Sequence, residues 1–149
     1  MLSLVPDTNI LVQGFLSNMN TPRTIINMAL AGKIVLYGSS ETYAEFRATV
    51  SKPKLAAYLS RKRYTVESIC LTYKHIVNLV EPQGVYEGLK ITADPDDDIF
   101  FRIAKFQGVK IIVSDDHHLH DVAPYDSLRV VNPQQFVDSL SAVKASLYS

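Results

Sequence analysis

The sequence has little that would tie the protein to an oxidising compartment or a membrane. Cys70 is the only cysteine among 149 residues, which excludes an internal disulfide and favours a reducing compartment. Its neighbours Ile69 and Leu71 indicate that this thiol is a small buried apolar side chain. Residues 1–6 contain no basic region and are too short for a secretory core, and no apolar run is long enough to cross a bilayer. We therefore expect a soluble, cytoplasmic protein without a membrane segment.

The chain also lacks an excess of charge of either sign. Fifteen Lys and Arg residues balance fifteen Asp and Glu residues, so the formal net charge at pH 7 is zero. A neutral chain has no global attraction for polyanions, and a nucleic acid partner would need a local basic patch and metal ions. Hydrophobic residues make up 47% and charged residues 20%, which is typical of a globular protein and excludes a disordered or fibrous chain. Residues 1–149 are predicted to form one domain around a single core.

Apolar segments of strand length alternate with segments of helical periodicity. The predicted strands are residues 2–6, 34–37, 76–80, 110–113 and 128–131. Helices are predicted after the turn at 7–9 and at residues 24–30, 41–50, 56–59, 65–76, 96–107 and 133–140, with a rim loop at 83–96. Strands that alternate with helices indicate a doubly wound, three-layer α/β/α domain with a central, mostly parallel sheet.

Four acidic residues come from separated segments of this pattern. Asp7 closes the first strand, Glu45 lies on a helix, and Asp97 and Asp116 flank a later helix and strand. A parallel α/β sheet gathers residues of this kind into the crevice at the carboxyl edge of its strands. The pattern therefore predicts one divalent-metal site.

Each acid also has a simpler structural interpretation. Asp7 is a common N-cap residue type, and Glu45 alone suits an exposed helix position. The four acids within residues 94–98 lie at a helix start, where the macrodipole favours anions. Four carboxylates in five residues repel one another, however, and a divalent cation would relieve that repulsion.

Oxygen ligands without a cysteine or histidine cage favour Mg²⁺ or Mn²⁺ over zinc. His117, His118 and His120 form a short histidine-rich stretch of the kind that can bind a transition metal. Their spacing matches no zinc motif, so we interpret them as a solvated loop in which one histidine contacts phosphate near the site.

Basic residues and tyrosines are concentrated in and after the Glu45 helix. The basic residues would supply the local basic surface that a neutral chain needs, but they would equally suit a solvated helical face. The tyrosines would stack on unpaired bases or belong to the core or an interface. The charged residues are Arg47, Lys52, Lys54, Arg61, Lys62 and Arg63, and the tyrosines are Tyr43, Tyr58 and Tyr64.

Four segments follow one another in a characteristic order and spacing. The first two are the strand and turn at residues 5–9 and the helix at residues 40–46. The others are the acidic loop Asp94-Pro95-Asp96-Asp97-Asp98 and the strand end Ile112-Val113-Ser114-Asp115-Asp116. Together they resemble the PIN domain family, and within it the VapC-like toxin components of prokaryotic toxin–antitoxin systems. The resemblance spans nearly the whole chain and implies a PIN-like fold.

The resemblance also implies an activity and a set of site residues. It implies a Mg²⁺- or Mn²⁺-dependent ribonuclease in which Asp7, Glu45, Asp97 and Asp116 are the core acids and Asn9 hydrogen-bonds near the metal. Asp97 is preferred to Asp98, its close rival, because it lies seven residues before Ala104. The resemblance implies this spacing between the site acid and an alanine of the following helix. The implied partners are an RNA substrate, a cognate antitoxin that blocks the crevice, and a second copy of the chain in a homodimer formed through helices.

Two residues beside the expected site depart from the family pattern. Asp115 stands where relatives often carry a small residue, and His118 stands where many carry another acid. Either residue would add a ligand, alter metal preference or lower activity, and Asp94 would support the site.

Three other functions are compatible with parts of the sequence. An aspartyl-nucleophile phosphohydrolase would use Asp7, but that class requires a second acid where this chain has Asn9. A receiver-like phosphoacceptor would need an acidic pair after the first strand and a lysine near the last, and neither is evident. A catalytically silent binding module would use its acids only to cap helices, and its stability would not respond to Mn²⁺.

Overall fold

The fold is known from a computed structural model that describes the backbone of residues 1–148 and the side chains of residues 1–141. The strands are β1 (Leu2–Pro6), β2 (Ile34–Gly38), β3 (Val77–Leu79), β4 (Ile111–Val113) and β5 (Arg129–Val131). The helices are α1 (Thr8–Leu16), α2 (Thr21–Leu30), α3 (Ser40–Val50), α4 (Pro53–Arg61), α5 (Val66–Ile76), α6 (Asp98–Gln107), α7 (His117–Val122) and α8 (Pro133–Tyr148). A 3₁₀ turn at Pro95–Asp97 precedes α6.

The five strands form one sheet in the order β3-β2-β1-β4-β5, and every neighbouring pair is parallel. The chain runs outward from β1 to β3 on one side and then crosses to β4 and β5 on the other. The predicted α/β class with a parallel central sheet is therefore confirmed. The reversal of strand order beside β1 creates a crevice at the carboxyl ends of β1 and β4, where open α/β sheets bind their ligands.

Helices cover both faces of the sheet, and the sheet divides the hydrophobic core into two parts. Leu4 of β1 packs in one cluster and its neighbour Val5 in the other, because successive side chains of a strand point to opposite faces. Val113 and Ile112 of β4 divide in the same way. The expectation of a single core is corrected to one core on each face of a doubly covered sheet.

The structure corrects the predicted loop at residues 117–120. These residues form the first turns of α7, because the Asp116 carboxylate caps the helix by accepting from the His118 backbone N–H at 2.9 Å. Leu119 is fully buried against the second core cluster, which anchors the helix. A short helix with one buried side chain has almost no periodicity, so the histidines alone suggested a loop.

The predicted rim loop corresponds to residues 80–94, which contain no regular helix or strand. Arg102 of α6 holds this segment, since its guanidinium donates to the carbonyl oxygens of Pro82 and Val85 at 2.9 and 3.0 Å.

Cys70 is free and 2% exposed, which confirms the prediction of a buried thiol. Among the helices in the described part of the chain, none has both the length and the apolarity needed to cross a bilayer.

Candidate functional site

The ends of β1 and β4 bring Asp7 and Ser114 into contact. Because Pro6 pairs with Val113, the next residue of each strand lies at the same edge, and the Asp7 backbone N–H donates to the Val113 carbonyl at 2.8 Å. The Ser114 hydroxyl donates to Asp7 Oδ2 at 2.6 Å. Asp7 is only 6% exposed, so this hydrogen bond solvates a carboxylate that water barely reaches.

Ser114 also connects Asp7 to Asp116. Its Oγ accepts a hydrogen bond from the Asp116 backbone N–H at 2.9 Å, and its carbonyl oxygen lies 2.6 Å from His120 Nε2. Asp116 is half-buried and caps α7 through Oδ1. One fully buried hydroxyl therefore sets the relative position of two acids that are 109 residues apart in the sequence numbering.

Burial is the main cause of a raised pKa at Asp7. Hydrogen bonds from Ser114 and from the Asn9 backbone N–H act in the opposite direction. The negative charges of Asp116 and Asp115 add to the rise. Asp7 thus accepts two hydrogen bonds at the site, while burial and the neighbouring acids act against its negative charge.

Glu45 reaches the same edge from α3. Its Oε2 accepts a hydrogen bond from the Thr8 hydroxyl at 3.1 Å, and Thr8 directly follows Asp7 at the start of α1. Glu45 is exposed overall, but partial desolvation raises its pKa, and the Thr8 hydrogen bond lowers it. The charges of Asp7, Asp96 and Glu41 raise it further. Glu45 therefore lies within the electrostatic field of Asp7.

Asp97 has the most strongly shifted pKa of these acids, which is raised from 3.8 to about 6. Loss of solvation is the largest cause, followed by the negative charges of Asp116, Asp94, Asp7 and Glu45. Its carboxylate accepts no hydrogen bond from the side chains and backbone that the structure describes, and it does not cap α6. Asp97 is therefore a partly desolvated acid that faces the other three.

Asp98 has a different environment from its neighbour Asp97. Its carboxylate accepts hydrogen bonds from the Ile91 and Thr92 backbone N–H groups at 3.1 and 2.8 Å and from the Thr92 hydroxyl at 2.7 Å. It is 7% exposed, and these donors belong to the end of the rim loop rather than to β1 or β4. Asp98 thus fastens the loop onto α6.

The remaining predicted residues lie around this group. The Asn9 backbone N–H donates to Asp7 Oδ1 at 3.2 Å, and its exposed side chain has no hydrogen bond within the described residues. Asp94 caps the 3₁₀ turn by accepting from the Asp96 backbone N–H at 3.0 Å, and Asp115 is exposed. His118 is exposed and packs against His117 with ring centroids 4.0 Å apart.

The donor chemistry of this group suits a hard divalent cation. The neighbouring charges that contribute most to the raised pKa values of Asp7, Glu45 and Asp97 are negative, so these carboxylates repel one another. No Lys or Arg of residues 1–141 forms an ion pair with them. Carboxylate oxygens are the ligands that Mg²⁺ and Mn²⁺ prefer. Among the described residues, the His, Cys, Asp and Glu side chains that bring three ligand atoms within 4.8 Å of one another are Asp116, His117 and His118, whereas the four acids are more widely spaced.

The sequence pattern did not identify Thr8, Ser114 and His120 as part of the site. Thr8 and Ser114 hold acids by hydroxyl hydrogen bonds, and His120 contacts the Ser114 carbonyl. The available signal was position alone: Thr8 follows Asp7 directly, Ser114 lies two residues before Asp116, and His120 lies four residues after it. Hydroxyl residues at strand ends are also common in turns, so that signal has little specificity.

Replacing Ser114 by alanine is expected to lower the free energy of unfolding by about 1–3 kcal/mol, since two buried polar groups lose their partner. The groups are Asp7 Oδ2 and the Asp116 backbone N–H. Urea denaturation measures the change. Ser60→Ala, at an exposed serine of α4, is the control and should stay within about 0.5 kcal/mol of wild type. Equal stability of the two variants would contradict the assigned hydrogen bonds.

Comparisons with known proteins agree with this architecture. A family model described as PIN domain matches residues 3–118. The chain is 22% identical over 145 residues to an uncharacterized protein, MJ1680, of Methanocaldococcus jannaschii, covering 92% of this chain and 90% of that protein. The fold is similar to a crystal structure of VapBC2 from Rickettsia felis bound to a DNA fragment from their promoter, with a TM-score of 0.57 and 15% identity. That match covers 88% of this chain and 98% of the other.

Proposed function

Because the chain belongs to the PIN domain family, whose members are typically metal-dependent nucleases, we propose that it hydrolyses RNA phosphodiester bonds. The observation that supports this best is the proximity of four acids, from the ends of β1 and β4, from α3 and from the 3₁₀ turn before α6, with no Lys or Arg of residues 1–141 in an ion pair with any of them. Those acids are Asp7, Glu45, Asp97 and Asp116.

In this proposal Asp7, Asp97 and Asp116 hold Mg²⁺ or Mn²⁺, and Glu45 orients the ligands or water. Such an ion lowers the pKa of bound water and stabilises negative charge on the phosphoryl group. Ser114 orients Asp7 through its short hydrogen bond and opposes the rise in the pKa of that carboxyl, and Thr8 does the same for Glu45. Asp98 is assigned a structural role, because its oxygens already accept three hydrogen bonds.

The proposal is tested by incubating the protein with a panel of structured and single-stranded RNAs in Mn²⁺, Mg²⁺ or EDTA. We expect cleavage with either metal and none with EDTA. Asp7→Asn, purified in parallel, controls for contaminating ribonucleases. Cleavage that persists in EDTA or in this variant would contradict the proposal, and the absence of cleavage by the wild type in every condition would favour a silent binding module.

The same proposal makes the protein the toxin of a toxin–antitoxin pair, with an antitoxin that blocks the crevice and a homodimer formed through helices. It is supported by the resemblance of the fold to VapBC2. Sedimentation equilibrium of the purified chain measures the dimer, and a mass of 16.6 kDa at all concentrations would exclude it. Inhibition of cleavage by a co-expressed partner protein would test the antitoxin.

A further inference from the structure

The charges of this neutral chain are distributed unevenly. Residues 46–66 contain six of the fifteen Lys and Arg residues and none of the fifteen Asp and Glu residues. The rest of the chain therefore carries an excess of six negative charges, and part of that excess lies at the four acids of the site. A polyanion approaching those acids would be repelled unless another surface attracted it.

Most of these basic residues lie on and beside α4, with their side chains in solvent. Lys54, Tyr58 and Lys62 are four residues apart, so they follow one face of the helix over about 12 Å. Leu55 and Leu59 each lie one residue further along, on the adjacent face of the helix, where they pack against the first core cluster. A basic stripe with an exposed tyrosine at its centre thus runs along α4 beside its buried face.

The stripe is hydrogen-bonded to α1, the helix that Asp7 caps. The Tyr58 hydroxyl and Lys62 Nζ both donate to the carbonyl oxygen of Leu16, the last residue of α1, at 3.2 and 3.3 Å. Lys62 Nζ also lies 4.9 Å from the centre of the Tyr58 ring. Since α1 is about 13 Å long, the anchored end of the stripe lies one short helix away from the acids.

Arg63 occupies a backbone position that is better suited to glycine. Its φ of 65° places it in the left-handed region just after the end of α4, the position where helices prefer glycine. Helix termination alone therefore does not explain an arginine there. Strained backbone of this kind is found at ligand contacts.

We propose that this basic stripe binds the sugar–phosphate backbone of single-stranded RNA and brings the strand to the acids. The stripe consists of Lys52, Lys54, Tyr58, Arg61, Lys62 and Arg63. The inference rests on the proposed function, because RNA is the polyanion that the acids would cleave. Basic side chains along and at both ends of one helix suit the phosphates of a single strand, and the Tyr58 ring, in a side chain that is 36% exposed, offers an aromatic contact for a base.

The test measures binding in EDTA, where no cleavage takes place, by fluorescence anisotropy with a labelled twelve-nucleotide oligouridine. The test variant combines Lys54→Ala, Arg61→Ala and Arg63→Gly. The control combines Lys33→Ala, Lys110→Ala and Arg129→Ala, at the amino ends of β2, β4 and β5, opposite the acids. All six side chains are exposed and lack ion pairs and hydrogen bonds within residues 1–141, so both variants should fold.

We expect the stripe variant to bind at least about tenfold more weakly than wild type, and the control to bind as wild type does. The slope of log affinity against log salt should become shallower by about 2 in the stripe variant, corresponding to three lost phosphate contacts on a single strand. Equal losses in both variants, or no binding by the wild type, would overturn the stripe. If an acidic peptide displaces the labelled oligouridine as strongly as unlabelled RNA does, the surface is assigned to a protein partner instead.

Arg63→Gly alone separates binding from folding. We expect weaker RNA binding together with an unchanged or slightly raised melting temperature, because glycine relieves the left-handed backbone. A lowered melting temperature with unchanged affinity would make Arg63 structural and overturn its role.

If RNA binds as expected but is never cleaved, the proposed nuclease activity fails while the stripe stands. If RNA is cleaved but the stripe variant binds as wild type does, only the stripe fails.

Discussion

Asp97→Asn is expected to lower metal-dependent RNA cleavage by at least about 100-fold while stabilising the metal-free protein. The loss of activity follows from the proposed role of Asp97 as a metal ligand, and an amide is a weaker ligand than a carboxylate. The gain in stability follows from its pKa, which desolvation and the neighbouring acids raise to about 6. At pH 7 the folded protein must hold this group ionised in unfavourable surroundings.

The size and the pH dependence of the stability gain can both be estimated. A shift of this size would nominally correspond to about 3 kcal/mol, and discounting for solvent screening leaves about 1 kcal/mol, or about 2–4 °C in melting temperature. An acid with a raised folded pKa contributes stability below its unfolded pKa and loses it as the pH rises through the folded value. The metal-free wild type should therefore lose stability between pH 4 and about 6. Asp97→Asn should lack the part of this loss that Asp97 contributes, while Asp7 and Glu45, whose pKa values are also raised, still contribute theirs.

The two neighbouring acids are matched controls for Asp97. Asp96→Asn changes an exposed side chain and should leave cleavage within a few-fold of wild type. Asp98→Asn should destabilise the protein, because an amide cannot accept all three hydrogen bonds of the carboxylate. Thermal melts and initial cleavage rates of the three variants are the measurements. Loss of cleavage in Asp98→Asn without loss of stability, with Asp97→Asn active, would exchange the roles of the two residues.

Mn²⁺ is expected to raise the melting temperature of the wild type by roughly 5–10 °C at pH 7. A ligand that binds only the folded state at about 100 times its Kd adds about 2.7 kcal/mol, and a domain of this size gains a few degrees per kcal/mol. The repulsion among Asp7, Glu45 and Asp97 strengthens the expectation, because a bound cation neutralises it. Differential scanning fluorimetry with Mn²⁺ and with EDTA measures the shift.

Two variants show whether the shift comes from the proposed site. Asp7→Asn should abolish most of the shift, whereas Asp138→Asn, at an exposed acid of α8, should keep it. An equal shift in both variants would place the ion elsewhere on the chain. If the wild type gives no shift with Mn²⁺ or Mg²⁺, the metal site is wrong, and a catalytically silent module becomes the better explanation of the acids.

Several features of the fold were predictable because they depend on local pattern. Unbroken apolar runs such as Ile111–Val113 indicated strands covered on both faces, and the alternation with helices indicated a parallel sheet. The helix at residues 117–122 was not predictable, since one buried leucine and one capping carboxylate leave no periodic signal. Strands covered on both faces imply a core on each face, but only the folded sheet shows which residues join which cluster.

The sequence by itself determined the fold class and the presence of acids at the ends of β1 and β4 and on the helices beside them, because periodicity and residue type act over a few neighbouring positions. Only the tertiary structure decided which acids face one another. Asp97 and Asp98 are adjacent in sequence, yet one lies among negative charges and the other is bound to the rim loop. Ser114 contacts Asp7 because β4 pairs with β1 in a particular register. Strand register and loop packing join residues that are distant in sequence, and no local pattern encodes them.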